Sequence, residues 1–339
     1  MIRGHTPTSP MVEELTSIWR RVLQRASIGA EDDFFDLGGD PASASALFLE
    51  ISRVWGRELS PLTIYQARTP SALAAILERP ELPRLAPIVR LRAGTEGSPV
   101  FFAHGLGGTV MEFSKLVSHI DSQRPIYGLQ MKGIDGVEKP LDHIEDIAQY
   151  SLDAIRKVQP RGRYLLIGYS LGGLIALEIA RRLSGNREDP ALLVLVDSYP
   201  HFQYLTLRQQ AGVLVRRLKR HAFAKLGSAA SAGAGSLGHN GGVLDRPRYA
   251  ESFARTMQVV RESANRAWIG YAPRFYAGEI KFVKAAVNTE FAEDPVAVWA
   301  KLAQHFEMET VPGDHFGILA GHVAQLAEAL SRYLKEAPG

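Results

Sequence analysis

The chain has 339 residues, with 39 Lys and Arg, 36 Asp and Glu, no Cys, and 46% hydrophobic residues. This composition excludes disordered, collagen-like and disulfide-stapled chains, and also thiolate metal sites and a cysteine nucleophile, so any covalent catalysis falls to Ser, Thr, Lys or a carboxylate. Residues 1–80 carry 8 basic and 10 acidic groups, net −2, and the remainder is net +5; neither part is basic enough to imply nucleic acid as a partner.

At ~100–200 residues per domain the length suits two domains. Val12 to Gln24 places Leu15, Ile18, Trp19, Val22 and Leu23 at helical spacing, the acidic loop EDDFFDLGGD follows, Ala44 to Trp55 is helical again, and Ser71 to Leu77 reads as a short third helix. Residues 8–80 are therefore expected to form a small all-α helical bundle. The stretch RPELPRLAPIVRLRAGTEGSP, starting at residue 79, holds four Pro and two Gly, which places a linker at 81–97. Downstream, apolar runs at Pro99–His104, Ile126–Gln130, Tyr164–Tyr169, Leu192–Asp197, Glu279–Ala285 and Phe306–Val311 read as strands. They alternate with helical patterns at Ile144–Gln159, Leu171–Leu183, Val296–His305 and Ile318–Leu334. That alternation predicts an α/β domain over 98–337, its mostly parallel sheet covered on both faces. It fails once, between Tyr204 and Tyr271, where helical patterns (Leu205–Leu226, Tyr249–Trp268) flank the Gly/Ala/Ser tract at 227–242. A helical insertion in an α/β frame is a lid candidate, here at about 200–270, with the tract as a flexible connection. No apolar run approaches the ~20 residues of a membrane span and the N-terminal stretch lacks a secretory core, so no membrane partner and a cytoplasmic location are expected.

The strongest chemical signal is Gly168-Tyr169-Ser170-Leu171-Gly172, preceded by the strand YLLI and followed by the helix LGGLIALEIARRL. A serine on a sharp strand-to-helix turn stands exposed above the sheet, and the turn aims the Leu171 backbone N–H at an oxyanion formed by attack on a carbonyl. A second donor is expected in the loop after the earlier strand, VFFAHGLGG, with Leu106 N–H the candidate and Gly107 next. His104 reads as a brace for that loop. The general base must follow the nucleophile in the chain. Among the late histidines, His239 lies in the Gly/Ala/Ser tract, and His305 and His322 fall within helical patterns. His315, in VPGDHFG after the last strand, is the candidate base. For the orienting acid there are two positions: Asp197, ending the strand LLVLVD, and Asp294 with its neighbour Glu293. Asp197 is preferred because a carboxylate at the end of an apolar strand needs a partner, and Asp314 is read as a loop or cap residue.

HGLGG, GYSLGG, LVDSYP and GDHFGIL resemble the motifs of type I thioesterases, and residues 8–337 together resemble the carboxy-terminal carrier and thioesterase pair of nonribosomal peptide synthetases and polyketide synthases. The resemblance implies an α/β-hydrolase fold, a Ser170, Asp197, His315 triad, backbone donors at Leu106 and Leu171, and a helical lid. It also implies an acyl or peptidyl chain passed from a phosphopantetheine thioester to serine, so that a carrier domain or synthetase is the expected partner. The thioesterase itself is expected to need no cofactor and no metal. The stretch DDFFDLGGD, residues 32–40, resembles a carrier protein whose next residue is the serine that takes 4′-phosphopantetheine. Here that position is Pro41, and Ser43 is the nearest, displaced hydroxyl. An editing thioesterase or general esterase, and a non-catalytic docking remnant, are the alternative readings. Arg208, Arg216, Arg217, Lys219, Arg220 and Lys225 occur with no acidic residue from His201 to Leu244, a strip that could meet an acidic carrier.

Overall fold

The computed structural model describes residues 9–81, 84–186, 188–214, 248–287 and 294–338. Its N-terminal part is a bundle of α1 (Pro10–Leu23), α2 (Pro41–Trp55), a 3-10 turn at Pro61–Tyr65, and α3 (Pro70–Leu77). Every one of these begins with a proline behind a side-chain cap: Ser9, Asp40, Ser60 and Thr69 each accept from a backbone N–H of the first turn. Proline costs nothing there, because its missing N–H belongs to a turn that lacks intrahelical acceptors. The bundle buries Leu15, Ile18 and Trp19 of α1 against Phe34, with the Trp19 and Phe34 rings edge to face at 5.2 Å.

One seven-stranded sheet forms the second part: β1 (Ile88–Arg92), β2 (Val100–Ala103), β3 (Ile126–Leu129), β4 (Leu165–Tyr169), β5 (Leu192–Val196), β6 (Tyr276–Val287) and β7 (Ala303–Asp314). The order is β1-β3-β2-β4-β5-β6-β7, parallel throughout except for β1, which runs antiparallel to β3 with Ile88 opposite Leu129. α4 (Ser114–His119) and α10 (Val323–Glu336) lie against one face, and α5 (Ile144–Val158) and α6 (Leu171–Gly185) against the other. Alternate residues of the central strands divide between the two cores: Val100 and Phe102 belong to one, Phe101 and Ala103 to the other. Both faces being covered explains why these strands read as continuous apolar runs.

The fold class expected from the sequence is the one observed, with local corrections. The segment assigned to a linker contains β1, whose five residues lie among Pro and Gly and are ordered by pairing with β3. The helix expected at Val296–His305 is only α9 (Pro295–Trp299), and His305 lies on β7 opposite Glu279 of β6. Long parallel pairing with β6 outweighs the local helical spacing there. His322 is likewise not inside a helix but occupies the position just before α10, after a 3-10 turn at Gly317–Leu319.

Between β5 and β6 the chain forms a 3-10 turn at Phe202–Tyr204, a helix at 207–214 (α7), and the 23-residue α8 (Arg248–Gly270). The Gly/Ala/Ser tract, His239 and the basic residues Arg216, Arg217, Lys219, Arg220 and Lys225 lie outside the described residues, as does Glu293. Buried Glu178 of α6 holds the far end of α8: it pairs with Arg181 at 2.8 Å and Arg182 at 3.2 Å and accepts from the Tyr271 hydroxyl at 3.1 Å. Arg68 joins the bundle to the sheet, donating to Asp33 Oδ1 at 3.0 Å and to the carbonyls of Arg90 and Leu91 on β1 at 3.0 and 3.1 Å. Among the described residues no helix is long and apolar enough to cross a membrane.

Candidate active site

Ser170 sits between β4 and α6 with φ 54° and ψ −120°, a conformation that costs a non-glycine residue about 1–3 kcal/mol and persists only where its surroundings impose it. The glycines around it are imposed by contact. A Cβ on Gly168 would overlap the Gly172 carbonyl, one on Gly172 would overlap the Ala103 carbonyl, and one on Gly173 would overlap the Ser198 side chain. Helix α6 can therefore lie directly on β2 and β4. The Ser170 N–H donates to Val196 O at 2.9 Å, fixing the turn to the neighbouring strand. No side chain caps α6; the Gly173 N–H turns back to Ser170 O at 3.1 Å, and uncapped helix N-termini in general favour anions.

His315 follows β7 and is 6% exposed. Its Nε2 lies 3.1 Å from Ser170 Oγ and its Nδ1 2.8 Å from Asp197 Oδ2. The Tyr169 ring stacks on the imidazole at 5.0 Å with 21° between planes, and the Tyr169 hydroxyl donates to the His315 carbonyl at 2.7 Å. Asp197, 4% exposed, follows β5 with φ 44°. Its Oδ1 accepts from the Ala285 N–H at 3.1 Å, and its own N–H donates to Val283 O at 2.8 Å. Both carboxylate oxygens thus have donors, which offsets the cost of burying the charge.

The other positions singled out in the sequence lie elsewhere. Asp294 caps α9, accepting from Val296 N–H at 2.9 Å and Ala297 N–H at 3.3 Å. Asp314 accepts from Gly317 N–H at 2.6 Å, closing the loop that carries His315. His104 is buried with Nδ1 2.8 Å from Gly105 O, and burial pulls its pKa down to about 4, so it is neutral and braces the loop. In the bundle, Asp40 and Ser43 form a reciprocal cap: Ser43 Oγ donates to Asp40 Oδ1 at 2.6 Å and accepts from Asp40 N–H at 2.8 Å. Ser45 Oγ donates to Pro41 O at 2.8 Å.

One residue of the site escapes sequence reasoning. Glu112 Oε1 accepts from Gly105 N–H at 2.6 Å, and burial pushes its carboxyl up to about 7 against the lowering effect of that hydrogen bond. It lines the same cavity of about 670 Å³ as Leu106, Gly107, Ser170, Leu171 and His315. Tyr199, Trp268 and Phe316, the last 71% exposed, line it too, with Arg261 of α8. Among the described residues no group of three or more His, Asp or Glu could hold a metal.

A serine on a strained turn at the carboxyl edge of a mostly parallel sheet, hydrogen-bonded to a histidine that meets a buried aspartate, defines the serine-dependent α/β-hydrolase class. The Thioesterase domain family matches residues 98–334, and the Phosphopantetheine attachment site family matches residues 13–77. The chain belongs to the thioesterase family, with carrier-type helices ahead of the catalytic fold. It is 36% identical over 203 residues to a dimodular nonribosomal peptide synthase of Bacillus subtilis (strain 168), covering 59% of this chain and 8% of that protein. It is 33% identical over 191 residues to an indigoidine synthase of Streptomyces lavendulae, covering 56% of this chain and 15% of that one. The chain thus spans a small fraction of these relatives' lengths. A solved holo four-domain nonribosomal peptide synthetase bound to AMP and glycine covers the whole chain and 27% of its own length, with 23% identity and a TM-score of 0.59. The NocB thioesterase domain from the nocardicin cluster covers 71% of this chain and 95% of its own, with 20% identity and a TM-score of 0.51. These structural likenesses establish the fold.

Proposed function

We propose that this protein moves an acyl or peptidyl chain from a phosphopantetheine thioester to Ser170 and releases it to water or to an amine or hydroxyl of the same chain, as a step in nonribosomal peptide or polyketide assembly. The observation that carries the reading is the series Ser170 Oγ, His315, Asp197, joined at 3.1 and 2.8 Å at the wall of a cavity that also exposes Leu106 and Leu171. In this reading His315 Nε2 takes the serine proton as Oγ attacks the thioester carbonyl, and Asp197 holds Nδ1–H. The tetrahedral oxyanion meets the backbone N–H groups of Leu106 and Leu171. Collapse expels the thiol, protonated by His315, and the second nucleophile repeats the sequence on the ester. The catalytic domain is read as 98–337, with α7 and α8 within a lid at about 200–270.

We read the carrier-like domain, residues 8–80, as unable to take the phosphopantetheine arm. Pro41 offers no hydroxyl, and Ser43 Oγ is committed in both directions to the cap of α2. The acyl chain then arrives on the carrier of a partner synthetase, and the bundle serves to dock. Fluorophosphonate labelling of Ser170, together with incubation with a phosphopantetheinyl transferase and coenzyme A, tests both parts. Labelled Ser170 and no mass gain on the bundle are expected; an unlabelled serine or an arm on residues 41–45 would overturn the reading.

A further inference from the structure

We propose that Glu112 makes the acyl cavity selective for chains that carry a free amine beside the reacting carbonyl. The inference rests on the reading that Ser170 is acylated, and it adds the class of chain accepted.

Glu112 Oε1 accepts from Gly105 N–H at 2.6 Å, which fixes the carboxyl one residue away from Leu106, the candidate oxyanion donor. The same side chain lines the cavity that exposes Ser170 and His315. Oε2 has no partner among the described residues, so half of the carboxyl remains for a ligand. Burial drives the carboxyl up to about 7, and no cation contributes to that shift. Arg261 lines the same cavity and is not among the groups that shift its pKa.

A carboxyl in this state favours ligands unequally. An ammonium group beside it returns it to carboxylate and forms a charge-assisted hydrogen bond, which is about twice as strong as a neutral one. A bare methylene in the same place seals a carboxyl oxygen away from water with no partner, a desolvation cost with no return. Position then limits the chemistry. Glu112 is held at the loop that carries Leu106, so in the proposed acyl-enzyme, whose oxygen faces Leu106 and Leu171, the substituent set against Glu112 is one close to the carbonyl. The chains favoured are aminoacyl groups with a free α-amine, or acyl groups bearing a β-amine, with an apolar or aromatic body against Tyr199 and Trp268.

The test uses the full chain and two N-acetylcysteamine thioesters, phenylalanyl and 3-phenylpropanoyl, which differ only by the amine. After subtraction of spontaneous hydrolysis, the parent is expected to favour the amine-bearing thioester by roughly tenfold or more in kcat/KM. Glu112→Gln keeps a carbonyl oxygen for the Gly105 N–H and loses the charge, so the ratio falls by roughly tenfold relative to the parent whatever the absolute rates. A ratio near one in the parent overturns the proposal. An unchanged ratio in Glu112→Gln, with both substrates slowed alike, also overturns it and leaves Glu112 as a brace for the oxyanion loop. Loss of fluorophosphonate labelling at Ser170 in the parent would instead overturn the hydrolase reading beneath it.

Discussion

In the proposed mechanism Asp197 orients the base, and Asp197→Asn isolates that role. Oδ1 of Asp197 accepts from the Ala285 N–H at 3.1 Å and Oδ2 faces His315 Nδ1 at 2.8 Å. An asparagine has one acceptor to offer, and the buried Ala285 N–H claims it, because an unpaired backbone donor costs about 1–3 kcal/mol. The amide NH₂ is then forced toward Nδ1, where only an acceptor is tolerated. The imidazole responds by placing its proton on Nε2, the nitrogen facing Ser170, and can no longer take the serine proton. A wrong tautomer of this kind costs roughly 10⁴-fold in kcat with the geometry intact, about 5.5 kcal/mol of barrier at 1.36 kcal/mol per tenfold. Steady-state hydrolysis of a soluble thioester measures the loss, with a thermal melt as the control for folding. Asp294→Asn, which keeps an oxygen for the cap of α9, is expected to change kcat less than about twofold and to lower stability by less than about 0.5 kcal/mol. An Asp197→Asn enzyme within tenfold of the parent, or a larger loss in Asp294→Asn, would refute the reasoning.

Three further outcomes are expected. Gly172→Ala drives a methyl into the Ala103 carbonyl, a backbone atom that cannot swing away; a destabilisation of about 1–3 kcal/mol with loss of turnover is expected, and an unchanged melt with full activity would contradict the packing of α6 on β2. Burial holds the His104 pKa at about 4 against 6.5 when unfolded, so the unfolded chain binds more protons in that window and stability falls as pH drops from 6.5 to 4. Glu112, raised to about 7 from 4.5, acts oppositely, losing stability as pH rises from 4.5 to 7; the two offset each other where their windows overlap, so denaturant titrations of His104→Gln should show stability falling more steeply with rising pH than in the parent, and an unaltered pH dependence would be contrary evidence. From sequence charge alone, reversing Arg216, Arg217 and Arg220 to Glu is expected to slow release from an acidic carrier while sparing a small soluble thioester, and equal effects on both substrates would leave the strip without a docking role.

Legibility in the sequence followed the range of the interactions. Ser170 was readable because strand, tight turn and helix are contiguous, and the glycines that let α6 approach are within three residues of it. His315 and Asp197 were reachable through the order of elements, which places strand ends at one edge of a parallel sheet. The preference for Asp197 over Asp294 was a burial argument, and the structure gives Asp294 a separate local task at a helix cap. Glu112 was invisible: it touches Gly105 through a hydrogen bond across seven residues, and an isolated acid in TVMEF belongs to no motif. Strand β1 was hidden by the prolines and glycines around it, since its order comes from β3. The misread start of β7 has the same origin, because pairing with β6 is a property of the sheet and leaves little local trace on a mostly exposed edge strand.

The central claim is that Ser170 carries the acyl chain, and trapping that ester tests it most directly. The full chain is mixed with a slowly released acyl thioester, quenched in acid, and digested for peptide mass analysis. The account predicts an acyl mass on the peptide containing Ser170, absent from Ser170→Ala and accumulating more slowly in His315→Ala. An acyl mass on another residue in the parent, or equal acylation of that peptide in Ser170→Ala, would contradict it.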